Sequence, residues 1–202
     1  QRRAQALAFW REKLFGFPLL LDLPRPALAS PGGGHSRRVL PTGLLERVAG
    51  LATGHRTTSF TVLAAAFAAA LSHLTRRRLL VLGLAVANRD LAETQLILGF
   101  LVNTVPLPVD LSGDPPFATL LERVSAATRF GYEHADVPFT DLVGMLRPPR
   151  SGRRSPLVQT CFAYHPPGSL GGLHLTGCTV QERDPPSQPA KRSRASTAIP
   201  ST

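Results

Sequence analysis

Four side chains that can bind zinc stand symmetrically about a Pro/Gly-rich run: Cys161-x3-His165 before it and His174-x3-Cys178 after it. If the flanks are the two arms of a hairpin, residues four apart on an arm share a face, and the four ligands can converge. Structural zinc more often uses tight C-x2-C turns, so the expectation is no metal, a buried thiol and surface histidines. His134 and Asp136 offer acid/base chemistry, because an imidazole and a carboxylate close in sequence can orient each other. The plainer expectation is that they finish the preceding helix and fix the turn into Pro138-Phe139, since helix ends need partners for orphan backbone groups. The amide of Asn103 has two donors and an acceptor, and it can hold a substrate carbonyl or make a structural hydrogen bond at a strand. Pro31-Gly-Gly-Gly34 neither follows a strand nor opens a helix, and so is a linker rather than a phosphate loop.

The elements that must position these residues alternate along the chain. Residues 1–14 place Leu7, Trp10 and Leu14 at helical spacing among charges, which predicts an amphipathic helix rather than a signal peptide, and an internal start. Residues 21–34 hold too much Pro and Gly for regular structure and should wrap the surface. Thr42 is the expected cap of a helix ending near Gly54, and Thr58 or Ser59 that of an Ala-rich central helix. Residues 79–87 read as a strand covered on both faces, and residues 101–109 as a second strand. Pro106 and Pro108 cannot donate to a ladder, so this second strand needs an edge there or must leave the sheet. Asp114 and Pro115 are the expected cap and first turn of a helix over 117–132. Residues 157–165 and 173–180 read as a hairpin with a long loop. The pattern predicts an α/β fold, a mixed sheet covered by helices.

Composition narrows the class. The chain has 202 residues, 43% of them hydrophobic, with mean hydropathy +0.03, enough for one domain with a core. The longest apolar run, residues 60–71, falls short of the roughly 20 residues that cross a bilayer, so no membrane partner is expected. Two cysteines are too few for a disulfide framework and favour a cytoplasmic location. A net charge of +10 raises nucleic acid as a partner, but the positive residues are scattered without interleaved aromatics, which argues against it. All but two of the 23 Lys and Arg are arginines, a bias that coding composition explains better than phosphate binding. Residues 183–202 are mostly Pro, Ser, Arg, Thr and Ala, with Ile199 as the only large apolar side chain, a composition expected to be disordered. Lys191-Arg-Ser-Arg194 is too short a basic run to be read as a targeting signal.

Three strings in fixed order carry a family resemblance. Leu98-Gly-Phe-Leu-Val-Asn-Thr104, His134-Ala-Asp-Val-Pro-Phe139 and Arg154-Ser-Pro-Leu157 resemble the GFFVNT, HQDxPF and RSPL(F)Q motifs of the condensation domains of nonribosomal peptide synthetases. Phe9-Trp-Arg-Glu-Lys-Leu-Phe-Gly16, Leu23-Pro-Arg-Pro26 and the run from Val81-Leu-Gly83 to Asn88-Arg89 are similar to the YWRERLAG helix, the LPTDRPRP loop and the VVVGTPVAGR strand of that family. The family's catalytic HHxxxDG motif has no counterpart here, since the chain holds no His-His pair.

The resemblance implies one lobe of a chloramphenicol-acetyltransferase-like two-lobed fold. Residues 1–182 would be the C-terminal part of a condensation-type domain. Residues 183–202, where Ala190-Lys-Arg-Ser-Arg194 replaces the family's AKFDL strand, would be a disordered or frameshifted tail. The parent activity implied is amide formation between carrier-bound acyl and aminoacyl thioesters, with the catalytic histidine in the other lobe, so no catalytic residue is expected in this chain. Gly99, Phe100, Asn103, His134, Asp136 and Arg154 are implied to line the substrate channel or to hold the structural motif. Arg154 would pin a loop, but Ser151 stands where the family string often has Asp, so the resemblance supplies no neighbouring acid. No cofactor is expected to bind directly; phosphopantetheine arrives on partner carrier proteins. The implied partners are the missing N-terminal lobe and the carrier-protein and adenylation domains. An epimerisation domain or another acyltransferase of the superfamily is the alternative within enzymes, and a non-catalytic interaction protein the alternative outside them.

Overall fold

Strand alternation decides the architecture of the computed structural model, which describes residues 2–23, 36, 38–89, 92–149 and 154–166. Strands β1 (Leu79–Val86) and β2 (Asn103–Asp110) pair antiparallel from Leu79↔Asp110 to Val86↔Asn103. The third strand, β3 (Cys161–Phe162), runs parallel to β1 on its other side, so the described sheet is mixed, in the order β2-β1-β3. Paired residues share a face. Leu80, Leu82 and Leu84 therefore lie with Val109, Leu107 and Val105 on one face, and all six are buried.

Helices cover that face. The described helices are α1 (Arg2–Lys13), α2 (Leu44–Gly54), α3 (Ser59–Thr75), the short α4 (Ala92–Gln95), α5 (Phe117–Glu133) and α6 (Phe139–Leu146), and not all of them touch the sheet. α3 and α5 lie against the sheet. Gly131 of α5 comes so close to β2 that a Cβ there would sit 3.2 Å from Val105 Cγ1. Phe162 of β3 meets Phe60 and Phe67 of α3, with ring centroids 5.5 and 5.4 Å apart. On the opposite face Val81, Pro106 and Pro108 are also buried, which makes both strands apolar on both sides, as their continuous apolar runs predict.

The prolines sit where the ladder tolerates them. Leu111 N–H donates to Arg78 O at 2.7 Å, next to the pair Leu79↔Asp110, so the odd-numbered residues of β2 donate to β1 and the even-numbered positions face away. Pro106 and Pro108 are even-numbered. They cost β1 no hydrogen bond, and they close the outer edge of β2 to another strand.

Several local expectations are corrected. The N-cap of α2 is Gly43 at φ 79, not Thr42; Arg47 N–H donates to Gly43 O, and the Glu46 carboxylate curls back beside Gly43. Asp114 does not cap α5. It adopts φ 50, turns its carboxylate to Arg78 (2.8 Å), and leaves Pro116 as the cap residue. Thr58 does cap α3, its Oγ1 accepting from Thr61 N–H at 3.2 Å. The strand expected over 157–165 shrinks to Cys161–Phe162, because Leu157 takes φ 63 and residues 154–159 are held in an irregular turn. Residues 173–180, most of the Pro/Gly-rich stretch after residue 23, and the 183–202 tail lie outside the described residues. By contacts the chain divides into a unit of Gln1–Pro24 with Thr42–Tyr164, and a second of Arg25–Pro41 with His165–Thr202, of which few residues are described.

Candidate functional site

Asn103 opens β2, and its whole amide is engaged with backbone. Nδ2 donates to Ala135 O (2.9 Å) and Val137 O (2.8 Å), while Oδ1 accepts from Phe139 N–H (3.1 Å). Both amide hydrogens are consumed, so the side chain staples the α5–α6 connection to the start of β2. A connection that bends between two helices cannot satisfy its own backbone groups, and Asn103 supplies three of the missing partners.

His134 stands at the end of α5 as its C-cap residue. Its Nδ1 lies 3.0 Å from Phe130 O. A carbonyl only accepts, so Nδ1 carries the hydrogen and Nε2 is the nitrogen left for other chemistry. The ring stacks on Phe130, with centroids 4.2 Å apart, and meets Phe9 edge-on at 5.5 Å. Trp10 Nε1 donates to His134 O at 3.2 Å, which ties α1 to this turn through a fully buried indole. α1 is tied a second time through Arg3, whose Nε donates to Asp141 of α6 at 2.9 Å. Asp136 is exposed, two residues beyond a ring that is directed at Phe130.

Gly99 and Phe100 belong to the loop before β2. Arg89, after β1, shapes that loop: Nη1 donates to Thr94 O (2.7 Å) and Ile97 O (2.8 Å), and Nη2 to Gly99 O (3.1 Å). The arched loop presents apolar side chains outward. Leu96, Leu98 and Phe100 are 92%, 101% and 89% exposed, an arrangement that soluble surfaces rarely carry uncovered.

Arg154 finds its acid far away in sequence. Its Nη1 donates to Asp22 Oδ1 at 2.6 Å, and Arg77 approaches the other oxygen of Asp22 at 3.8 Å. Gln159 works alongside it. Its Oε1 accepts from Leu21 N–H (2.7 Å), and its Nε2 donates to Ser155 O (2.8 Å). Together they fasten residues 19–22 across residues 154–159. Arg154 is thus engaged apart from Asn103, whose partners are all in residues 135–139. Arg89, Gln159 and Asp22 escaped site reasoning from sequence. The only signal for Arg89 and Gln159 was their place within or beside the family strings, and Asp22 had none.

Cys161 corrects the expectation of a buried thiol, for the residue is exposed. Its sulfur nevertheless turns inward over Gly83, where an added Cβ would lie 2.7 Å from Sγ and 2.6 Å from Val158 Cγ1. Desolvation there pushes the thiol above its ordinary pKa. His165 is exposed; His174 and Cys178 lie outside the described residues. Among the described residues no three of His, Cys, Asp and Glu group as metal ligands, and no single helix is long and apolar enough to cross a membrane.

The fold is a mixed sheet packed under helices, and the motif residues brace its loops rather than form a catalytic cluster. A family model for the condensation domain matches residues 1–191. Malpinin synthetase of Mortierella alpina is 38% identical over 180 residues, which cover 85% of this chain and 2% of that protein. The isonitrile lipopeptide synthase of Mycobacterium tuberculosis is 37% identical over 188 residues, covering 89% of this chain and 8% of that one. Among solved structures, the X-domain from teicoplanin biosynthesis superposes with TM-score 0.71 at 29% identity, over 80% of this chain and 37% of its own. The complex of that X-domain with OxyB gives 0.66, over 79% and 36%. The chain belongs to the condensation-domain family of nonribosomal peptide synthetases. It spans only a small part of the curated relatives it matches.

Proposed function

We propose that this chain is the C-terminal lobe of a condensation domain and forms one wall of a cleft in which a carrier-bound amine attacks a carrier-bound thioester. In that reaction the amine nitrogen bonds to the thioester carbonyl, the C–S bond breaks, and the proton lost by nitrogen ends on the departing thiol. The acyl and aminoacyl groups would arrive on the pantetheine arms of carrier proteins. The histidine that assists the amine would belong to the other lobe. This chain's part is positional: Asn103, Arg89 and Arg154 hold the loops, and the Leu96–Phe100 arch faces outward for the other lobe to cover. The observation that carries the reading is the family match over 1–191, with all three motif strings in order.

A chimera tests it. Residues 1–182 replace the matching segment of a working condensation domain, and dipeptide formation from two loaded carrier proteins is measured. The expected result is product from the chimera and none from residues 1–202 alone. A chimera that folds and accepts both carriers without making product would overturn the reading.

One observation favours a second reading. The X-domain, a good structural match, has been solved in complex with OxyB, which supports a lobe whose task is to hold a partner protein. A chimera that is inactive yet still retains a neighbouring domain would favour it.

A further inference from the structure

At the far end of the sheet from Asn103, a groove of about 780 Å3 opens between the last turn of α3, the start of β1, the turn after β2 and the first turn of α5. The eight residues of β2 separate it from the motif loops by roughly 25 Å, at the usual strand rise of about 3.3 Å per residue. Asn103, Arg89 and Arg154 are not among its lining residues, and the one link to their bracing is Arg77, which stands between Arg76 and Arg78 and approaches Asp22 at 3.8 Å.

Its chemistry is two-part. Phe117 supplies the exposed apolar surface, backed by the buried Leu111 and Leu120, and His73, Arg76 and Arg78 line the rim. The one acid in the lining, Asp114, is already bound by Arg78 at 2.8 Å. Arg76 is different. It is the C-cap residue of α3 at φ 55 and is exposed, and among the described residues no carboxylate lies within ion-pair distance of it. Phe117 remains 39% exposed beside it. An uncompensated guanidinium next to a half-open apolar wall is the complement of a carboxylate next to a large apolar side chain.

We propose that this groove docks an acidic protein segment anchored by an apolar side chain: a Leu- or Phe-sized group seats on the open face of Phe117, while flanking carboxylates pair with Arg76 and His73. The net charge of +10 favours approach of such a segment from any side, and the apolar wall selects it from among other anions. Nucleic acid fits less well, because the rim offers few cations and no stacked aromatic platform. The match to relatives of which this chain is only 2% and 8% makes a neighbouring domain the natural source of the segment. The inference does not depend on amide-forming activity.

Fluorescence anisotropy of the 202-residue chain tests it, with a labelled peptide of alternating Glu and Leu, a peptide of equal charge with Ser in place of Leu, and a single-stranded oligonucleotide of equal charge. Arg76→Asn removes the cation at a position where Asn tolerates the left-handed turn, Phe117→Ala trims the wall, and Arg129→Gln removes an equal charge on the exposed surface of α5. Circular dichroism checks that each variant is folded. The expected result is a Kd for the Glu/Leu peptide raised about fivefold or more by Arg76→Asn and by Phe117→Ala, unmoved by Arg129→Gln, and increasing with salt. Equal binding of the Leu-free peptide or the oligonucleotide, an equal loss in Arg129→Gln, or no binding of the Glu/Leu peptide would overturn the proposal.

Discussion

Asn103 is the residue whose chemistry is most fully accounted for. An aspartate in its place keeps the shape but cannot donate to Ala135 O and Val137 O, and it sets a carboxylate oxygen against two carbonyls. Leaving such buried groups unpaired costs about 1–3 kcal/mol, so Asn103→Asp should lower the melting temperature by several degrees in thermal denaturation, and Asn103→Ala should do the same. A variant melting with the wild type would remove the staple. The sequence already pointed to a polar amide at the start of a strand, but the partners are 32 to 36 residues away, a separation at which pattern reading loses its hold. Asp22 and Arg154, 132 residues apart, are the extreme case. Asp110 gives a second residue-scale prediction. Burial pushes its carboxyl up, but the Ser112 N–H and hydroxyl and the Arg123 guanidinium together hold it below the usual carboxylate value. A folded pKa below the unfolded one contributes stability that is present above the unfolded value, about 4, and is lost as pH falls through the folded one. Asp110→Ala should therefore destabilise more at pH 7 than at pH 3 in urea titrations. An equal loss at both would contradict the assignment.

At the scale of elements, what could be read and what could not divide along the same line. β1, β2, α3 and α5 were legible because apolar period and length identify them without help from the rest of the chain. Pro106 and Pro108 called for an edge or a departure from the sheet, and β2 is an edge of the described sheet. The ends of elements were less legible: Asp114 is a good cap by type, yet Arg78, 36 residues away, takes its carboxylate, and Gly43 in a left-handed turn takes the place of its neighbour Thr42. The shortness of β3 likewise follows from the turn that Arg154 and Gln159 hold. Gly83 shows what that turn demands of the sheet. Val158 and Cys161 both press on the space where its Cβ would be, so Gly83→Ala should cost about 1–3 kcal/mol by overpacking. It should also swing the Cys161 thiol toward solvent, raising its alkylation rate at neutral pH. A Gly83→Ala chain with unchanged stability and thiol reactivity would show that β3 and the preceding turn are not packed as described.

For the molecule as a whole, the exposed arch of Leu96, Leu98 and Phe100 sets the expected behaviour in isolation. Such a patch drives association, so light scattering should find self-associated species that dissolve into monomers in a Leu98→Glu, Phe100→Lys double variant. A wild-type chain that stays monomeric at high concentration would mean that the arch needs no cover. Fold class and family were both legible from the sequence, the first through periodicity and the second through three ordered strings. The candidate groove between α3 and α5 was not, because its lining comes from four separate segments that only the folded sheet assembles. On the function proposed above, this chain is one lobe of a condensation site whose reactive histidine is supplied elsewhere. Mixing the chain with a separately expressed N-terminal condensation lobe, and measuring amide product from two loaded carrier proteins, tests it most directly. Product is expected from the mixture and none from either part alone; amide formation by this chain alone, or none from a mixture that assembles stably with both carriers, would overturn that function.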